Sequence, residues 1–173
     1  PRESVIDPFA VSIAFAELAV VNGVDLLLGL GIVGVENGGH SVKQLVGDDG
    51  RRIATRTVVN VAGLGSSRLA SSYAGPHFDL NPRRGQFLVY DKHVGQLIER
   101  ILLPVPTERT KGKLVAPTIF GNLLAGPTAE DLPLGAVEAT STTVAGLREV
   151  ATAAVEMCPA LADHRPIATY AGA

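Results

Sequence analysis

TVVNVAGLGS, residues 57–66, is the most informative stretch of this chain, because an apolar β-branched run passes directly into glycines. The run predicts a buried strand over 57–61, and the glycines predict a tight turn into a short helix over 66–72. Such a turn exposes backbone N–H groups where the helix dipole is positive. It suits an anionic phosphate, and a tight turn without any ligand is the alternative.

The turn lacks two parts of the usual dinucleotide-binding fingerprint. Arg68 stands where the third glycine would fall, and no acidic residue ends a second parallel strand about 20 residues later. Ser66 and Ser67 do not form a nucleophile elbow either, because no second glycine follows them. We therefore interpret the serines as helix-capping residues rather than nucleophiles.

Composition limits the class of protein. The chain has 173 residues, 46% hydrophobic and 18% charged, with a net charge of −2. This is enough apolar material for one domain or two unequal lobes, and the charge does not indicate a nucleic-acid or anionic-membrane partner. The single cysteine, Cys158, fits a reducing compartment and reads as a buried structural thiol. No metal site is expected, because no two histidines have metal-ligand spacing (His40, His77, His93 and His164).

The first half of the chain predicts one helix and several short strands. Asp7-Pro8 starts the helix, and Asn22-Gly23 ends it. Charges at Glu17 and Asp25, with the break between them, favour a buried helix and strand over a membrane span. The predicted apolar face of the helix comprises Ile6, Phe9, Ile13, Ala16 and Val20. Strands are predicted over 24–28 and 32–36, and a polar antiparallel ribbon over 41–46 and 51–54.

The second half, after Gly75-Pro76, predicts a more strand-rich region. Strands are expected over 86–90, 100–105, 113–116, 123–125 and 167–170, with a hairpin turn at 119–122. A helix is predicted over 142–157, and Pro159 lies just past its end. Its predicted buried face comprises Val144, Leu147, Val150, Ala151 and Ala154.

Two charged segments could bear on function. In PRRGQ, residues 82–86, two arginines precede a strand, and the glycine allows a ligand or another backbone to approach closely. One guanidinium could hold a carboxylate or phosphate in a bidentate way, but from the residues alone we favour a surface arginine pair. Glu130-Asp131 could line a cleft, although a solvated loop is the interpretation that we favour.

In their order along the chain, these motifs resemble the FAD-dependent oxidoreductases of the D-amino-acid oxidase and glycerol-3-phosphate dehydrogenase type. Residues 29–35 (GLGIVGV) resemble the family strand whose backbone meets the adenine, and 58–66 resemble the second cofactor motif. That motif usually reads Asn-Ala-Ala-Gly, often with Trp after the next residue. Here Val61 replaces the first alanine, and Gly65 stands where Trp is common.

The second half carries the same resemblance. PRRGQ is similar to the family's Pro-x-Arg-Gly-Gln entry to a substrate-lobe strand. Residues 170–172 (YAG) resemble the point where the family chain returns to the flavin. The stretches 103–107 (LPVPT), 116–118 (APT) and 121–130 (GNLLAGPTAE) are most similar to the glycerol-3-phosphate dehydrogenase-like branch.

The resemblance implies an α+β (mixed α/β) fragment of a two-lobe enzyme with a mixed or antiparallel substrate-lobe sheet. Residues 1–74 would belong to the FAD-binding lobe (1–7 ending a substrate-lobe strand), 75–164 to the substrate-binding lobe, and 165–173 to the return toward the FAD lobe. The chain begins at Pro1, and its only Met is Met157. We therefore expect an excised middle piece that binds FAD weakly or not at all by itself.

The resemblance also implies the reaction: hydride removal from a carbon bearing a hydroxyl or amine, with FAD as cofactor. Glycerol-3-phosphate or a 2-hydroxy acid is the expected small-molecule substrate, and an amino acid is the less favoured alternative. A cofactor-free binding domain is the third alternative. Expected backbone contacts to the cofactor are Ile32, Ala62, Gly63 and Leu64; expected substrate-side residues are Arg84 and Thr128. No catalytic base is assigned. We expect a cytoplasmic enzyme, in some settings peripheral at the inner membrane face. For the isolated fragment we expect a homodimer through exposed strand edges, which need not reflect the parent enzyme.

Overall fold

The computed structural model describes residues 4–38, 42–73, 77–106, 112–133, 136 and 140–173. Predictions that fall on His40, on Ser41 and on the Gly75 boundary lie outside the described residues. The helices are α1 (Pro8–Val21), α2 (Ser66–Ala70) and α3 (Val144–Met157). The strands are β1 (Ile32–Asn37), β2 (Lys43–Gly47), β3 (Arg52–Thr55), β4 (Arg83–Tyr90), β5 (Leu114–Pro117), β6 (Leu123–Gly126), β7 (Glu130–Asp131) and β8 (Pro166–Gly172). Short 3₁₀ turns cover Gly63–Gly65, Lys92–Leu97 and Pro159–Asp163.

The chain divides into two compact units. The larger unit comprises Pro1–Ala14 and Pro82–Ala173, and the smaller unit comprises Phe15–Asn81. All strand pairs within the described residues are antiparallel. The predicted α+β fold class, with helices beside antiparallel sheets, is confirmed.

The sheet of the larger unit is built around β4. This strand pairs with β6 and β7, and also with β8, while β5 pairs with β6 as the predicted hairpin. Side chains alternate along β4, so that Arg84, Gln86, Leu88 and Tyr90 are buried on one face. The last two join the apolar core beneath α3. That core comprises Leu88, Tyr90, Val94, Ile98, Val115, Leu123, Ala125, Val150, Ala154, Cys158 and Leu161.

The helix predicted over 142–157 is confirmed as α3. The Thr143 side chain caps it by accepting a hydrogen bond of 3.1 Å from the Gly146 amide. The helix packs through Gly146, Val150 and Ala154, whose four-residue spacing defines one buried stripe. Val144 lies off that stripe and is exposed, so its predicted burial is wrong.

The smaller unit holds a three-stranded sheet in the order β1-β2-β3. The predicted ribbon is confirmed as β2 and β3, with Gly50 at φ +84 completing the turn between them. β1 joins the ribbon antiparallel, and its Val35 amide donates to the Ser72 hydroxyl just beyond α2 at 3.2 Å. This hydrogen bond connects the sheet to the segment that follows residues 57–66.

Three predicted strands are wrong. Residues 24–28 and 57–61 form no strand, and Val59 and Val61 are 78% and 85% exposed. An apolar run becomes a strand only with a neighbour to complete its hydrogen-bond ladder, and no described residue pairs with either run. Within 100–105, only Leu102 bridges to Val115, since Pro104 has no N–H to donate.

Helix α1 has the predicted ends but not the predicted burial. Asp7 caps it, accepting from the Phe9 and Ala10 amides at 2.9 and 3.2 Å, and Gly23 follows it at φ +88. No residue of α1 is buried, and Phe9 is 79% exposed. The helix is apolar on all sides, which is typical of a helix enclosed by other elements, and no described residue encloses it. No described helix is long and apolar enough to span a membrane.

Acid is expected to loosen the smaller unit's sheet. Arg52 of β3 forms an ion pair with Glu36 of β1, and this hydrogen-bonded pair lowers the pKa of the Glu36 carboxyl. A carboxyl with a lowered folded-state pKa stabilises the fold above its unfolded pKa, near 4, and loses that contribution as the pH falls through the folded value. Amide-exchange protection in β1 and β3 should therefore fall from pH 7 to pH 3. Arg52→Gln should reduce this difference, with a remainder from Asp49, whose pKa the hydrogen bonds to Arg51 also lower, and an identical acid response in both proteins would contradict the assignment.

Candidate functional site

The loop from Asn60 to Gly65 is held in shape by its own polar groups. The Asn60 side chain donates to the Ser66 carbonyl at 2.8 Å and accepts from the Ala62 amide at 3.2 Å. Ser66 donates its hydroxyl to the Gly63 carbonyl at 2.7 Å. The serine therefore closes the turn and does not cap the helix, so the predicted capping role is wrong.

This loop presents free backbone donors. Ala62 and Gly63 are exposed, and Gly63 adopts φ +54, a left-handed conformation that glycine reaches without strain. The Gly65 amide bonds to the Ala62 carbonyl at 2.9 Å, whereas the Gly63 and Leu64 amides donate to no described residue. A Cβ at position 63 would meet nothing within 4 Å. Two adjacent amides without an acceptor among the described residues fit an oxygen or ring-nitrogen acceptor of a nucleotide cofactor.

Ile32, the other predicted cofactor residue, lies at the start of β1. It is half-buried and opposite Gly47 in the register, next to an irregularity between Ile32 and Gly34. The structure places Ile32 and the Ala62–Leu64 loop in the same compact unit. Contact of any of the four residues with a cofactor stays a prediction.

An ion pair between a buried arginine and an exposed glutamate occupies the predicted substrate side of the larger unit. Arg84 donates to both carboxylate oxygens of Glu130 at 2.8 to 3.0 Å, and also to the Ser141 carbonyl at 2.9 Å. The Arg84 side chain is 9% exposed. The favoured surface-pair interpretation is therefore wrong for Arg84 but holds for Arg83, whose half-exposed side chain bonds to Asp131 at 2.6 Å. Glu130-Asp131 is a short strand paired with β4 and not a solvated loop.

Gln86 is the centre of the same network and was missed as a functional candidate. Its side chain is fully buried, accepting from the Thr143 amide at 2.6 Å and donating to Glu130 at 3.3 Å. Its backbone amide donates to the buried Thr128 hydroxyl at 3.0 Å. The signal was in the sequence, because residues 84 and 86 share one face of a strand. The network brings the predicted residues Arg84 and Thr128 together.

A cavity of about 310 Å³ adjoins this network. Its polar lining comprises Gln86, Thr128, Glu130, Thr143 and Glu149. Among the described residues, no buried side-chain nitrogen or oxygen lacks a hydrogen-bond partner. The network is therefore satisfied internally, and its visible role is to tie β4 to the start of α3.

Other candidate chemistry is sparse in the described residues. They include no group of three or more His, Cys, Asp or Glu side chains placed to hold a metal ion. Cys158 is a free, buried thiol in the core of the larger unit. His93 and His164 meet edge to face, with ring centroids 5.4 Å apart.

Residues 1–173 match the family of FAD dependent oxidoreductases known as DAO. The match covers the whole chain, so the chain belongs to this family. FAD is the cofactor of the family, and the free amides of Gly63 and Leu64 fit such a group.

Curated relatives share the resemblance along most of this chain. A glycerol 3-phosphate dehydrogenase from Caloramator mitchellensis is 36% identical over 156 residues, which cover 90% of this chain and 32% of the relative. The hydrogen cyanide synthase subunit HcnC of Pseudomonas aeruginosa is 29% identical, covering 96% of this chain and 37% of that protein. The chain thus spans about a third of the length of these relatives.

Solved structures show the same fold. L-α-glycerophosphate oxidase from Mycoplasma pneumoniae with FAD bound aligns with a TM-score of 0.83 and 24% identity, covering 96% of this chain and 44% of that chain. Glycerol-3-phosphate dehydrogenase from Bacillus halodurans gives 0.77 and 18%, covering 94% and 34%. Glycine oxidase from Bacillus cereus gives 0.74 and 18%, covering 93% and 42%. At these identities the likeness concerns the fold alone.

Proposed function

We propose that this chain is part of an FAD-dependent dehydrogenase or oxidase that acts on a hydroxyl-bearing carbon. Glycerol 3-phosphate is the first substrate to test, with 2-hydroxy acids next. The observation that carries the proposal is the 36% identity to a glycerol 3-phosphate dehydrogenase over 90% of this chain. An amine- or amino-acid-oxidising enzyme of the same family is the second candidate, since glycine oxidase has the same fold.

In this reaction a substrate C–H and the adjacent O–H are converted into a carbonyl. The flavin supplies an acceptor for the hydride, and the hydroxyl proton leaves to a base that we do not assign. This chain's part on the cofactor side is binding and orientation. We propose that the Gly63 and Leu64 amides donate to the cofactor, and that Ala62 and Ile32 contact it through their backbones.

On the substrate side, we propose that Arg84 and Thr128 contribute through the strand that they hold. Thr128 accepts from the Gln86 amide and donates to the Arg84 carbonyl at 3.3 Å. Both residues therefore fix the backbone of β4 around Gly85. A guanidinium already bound to Glu130 and Ser141 is better placed to set this geometry than to bind a mobile substrate.

The wider organisation is also a proposal. Residues 1–74 would belong to the FAD-binding lobe, 75–164 to the substrate-binding lobe and 165–173 to the return toward the flavin. We further propose a cytoplasmic enzyme and a homodimer formed through exposed strand edges. Among the described strands, β8 supports a dimer of the isolated chain, since only β4 pairs with it and it carries no charged residue.

The proposed function is tested on a polypeptide of the relatives' length that contains this chain. The purified protein should show a visible flavin spectrum, which should bleach under anaerobic conditions when glycerol 3-phosphate is added. Bleaching only by a 2-hydroxy acid, glycine or another amino acid would move the substrate assignment accordingly. A colourless protein that FAD cannot reconstitute would overturn the proposal and favour a binding domain.

A further inference from the structure

Two asparagines of this chain are followed directly by glycine, at Asn22-Gly23 and Asn37-Gly38. In such a pair the glycine has no side chain to shield its backbone nitrogen, which can attack the carbonyl carbon of the asparagine side chain. Both asparagines are exposed, and both lie in the smaller unit. The sequence therefore makes them equal candidates for deamidation, and their surroundings distinguish them.

Asn22 is held in a way that opposes the reaction. Its side-chain nitrogen, which would be the leaving group, donates to the Leu18 carbonyl at 2.7 Å. The Gly23 amide, which would attack, donates to the Val20 carbonyl at 3.0 Å and is fixed at φ +88. Both reacting nitrogens are thus engaged at the C-terminal end of α1, and no described residue donates to the Asn22 side-chain oxygen.

Asn37 is held by its side-chain oxygen instead. The Lys43 ammonium donates to that oxygen at 2.9 Å, across the pair that the two residues form between β1 and β2. Negative charge develops on this oxygen when a nitrogen attacks the side-chain carbon. A cation already bonded to it stabilises that charge more than it stabilises the neutral carbonyl. The Asn37 side-chain nitrogen donates to no described residue, so the leaving group is not restrained as it is at Asn22.

The attacking nitrogen at this site lies at the end of the hairpin ladder. The Gly38 amide donates to the Val42 carbonyl at 2.9 Å, one residue beyond the last pair in the register of β1 with β2. This hydrogen bond has to open before the nitrogen can attack, and bonds at the end of a ladder open more readily than those inside it. Gly38 is exposed, so water reaches the opened amide.

We infer that Asn37 is a site of spontaneous deamidation that Lys43 promotes. The Gly38 nitrogen bonds to Cγ of Asn37, the Cγ–Nδ2 bond breaks, and ammonia leaves with the proton of the Gly38 amide. Water then opens the cyclic imide at either carbonyl and gives aspartate or isoaspartate. Aspartate would form an ion pair with Lys43, whereas isoaspartate would add a methylene to the backbone and disturb the end of β1. This chemistry needs neither cofactor nor substrate and is independent of the proposed function.

The test uses the purified protein of the relatives' length, incubated folded or in denaturant in a mildly alkaline buffer and then digested for peptide mass spectrometry. In denaturant both asparagines should deamidate at similar rates, and in the folded protein Asn37 should be faster. Lys43→Met removes the donor and should slow the reaction at Asn37 by up to about tenfold, the size of one net hydrogen bond, without changing Asn22. Lys43→Arg keeps a cationic donor and should retain most of the rate.

Three outcomes would overturn the inference. Equal rates at Asn22 and Asn37 in the folded protein would show that their surroundings do not matter, and this comparison decides even if Lys43→Met fails to fold. An unchanged or raised rate at Asn37 in Lys43→Met, with Asn22 unaffected, would show that Lys43 does not promote the reaction. An Asn37 that stays intact in the folded protein, while both sites react in denaturant, would show that the Gly38–Val42 bond does not open.

Discussion

Replacing Glu130 by alanine is expected to lower the free energy of unfolding by about 3 kcal/mol. The change would leave the Arg84 guanidinium, with a side chain only 9% exposed, without its bidentate carboxylate partner. The expected loss is at the lower end for a broken buried pair, because Glu130 is itself 44% exposed and water can reach part of the site. Denaturant unfolding of the purified protein, followed by circular dichroism, measures the loss.

The neighbouring ion pair provides a matched control. Asp131→Ala breaks the Arg83–Asp131 pair on the same two strands, where the side chains are 51% and 73% exposed. Exposed pairs of this kind contribute at most about 1 kcal/mol. Replacing Arg84 and Glu130 together by methionine should recover much of the loss from Glu130→Ala, because no unpaired charge remains. Equal losses from Glu130→Ala and Asp131→Ala would contradict the structural role of the buried pair.

The Arg84 network shows which contacts the sequence alone does not predict. Strand alternation predicts that residues 84 and 86 share a face, so their common environment could be foreseen. Their partners are Glu130, which lies 46 residues away from Arg84, and Thr143, which lies 57 residues from Gln86. No local pattern specifies such a pairing, since it depends on how β7 and α3 meet β4. The order of the sequence motifs pointed to residues 82–86, but only the tertiary fold shows that Arg84 is buried and Arg83 is half-exposed.

Helix α1 and residues 57–61 are segments whose sequence predicts a partner surface that no described residue supplies. The local signals at α1 were sufficient for its ends, where Asp7 caps it and Gly23 ends it. Burial and strand pairing need a second surface, and the described residues supply none to either segment. The hydrophobic periodicity of a segment predicts that it needs a second surface to pack against. It does not show whether the rest of this chain provides that surface. The core around α3 was predicted better because both of its layers lie within the larger unit.

The loop from Asn60 to Gly65 falls between these cases. Its glycines predicted a turn with exposed amides, and the free Gly63 and Leu64 donors agree with that interpretation. The two bonds of the Asn60 side chain were not foreseen, although an asparagine before a turn commonly bonds to the backbone two residues on. The left-handed Gly63 could not be assigned from sequence, since Gly65 is an equally eligible glycine and has φ −81.

Gly63→Val is expected to weaken FAD binding by roughly tenfold or more in the protein of the relatives' length. At φ +54 a residue with a Cβ costs about 1–2 kcal/mol, and the chain would relieve this by moving the loop. A cost of about 1.4 kcal/mol corresponds to a tenfold change in affinity. The moved loop would no longer direct the Gly63 and Leu64 amides at the acceptor. The ratio of flavin to protein absorbance after purification, and FAD titration of the apoprotein, measure the change.

Gly65→Ala tests whether FAD binding depends on the left-handed backbone of Gly63 or on having glycine anywhere in this loop. Gly65 has an ordinary right-handed conformation, and its Cβ would lie 3.9 Å from that of Ala62, a normal contact. This variant should therefore retain FAD, as the tryptophan common at this position in the family also suggests. Undiminished FAD binding in Gly63→Val would show that the loop does not hold the cofactor. Equal loss in both variants with intact circular dichroism would instead indicate that the cofactor approaches position 65 too closely for any side chain.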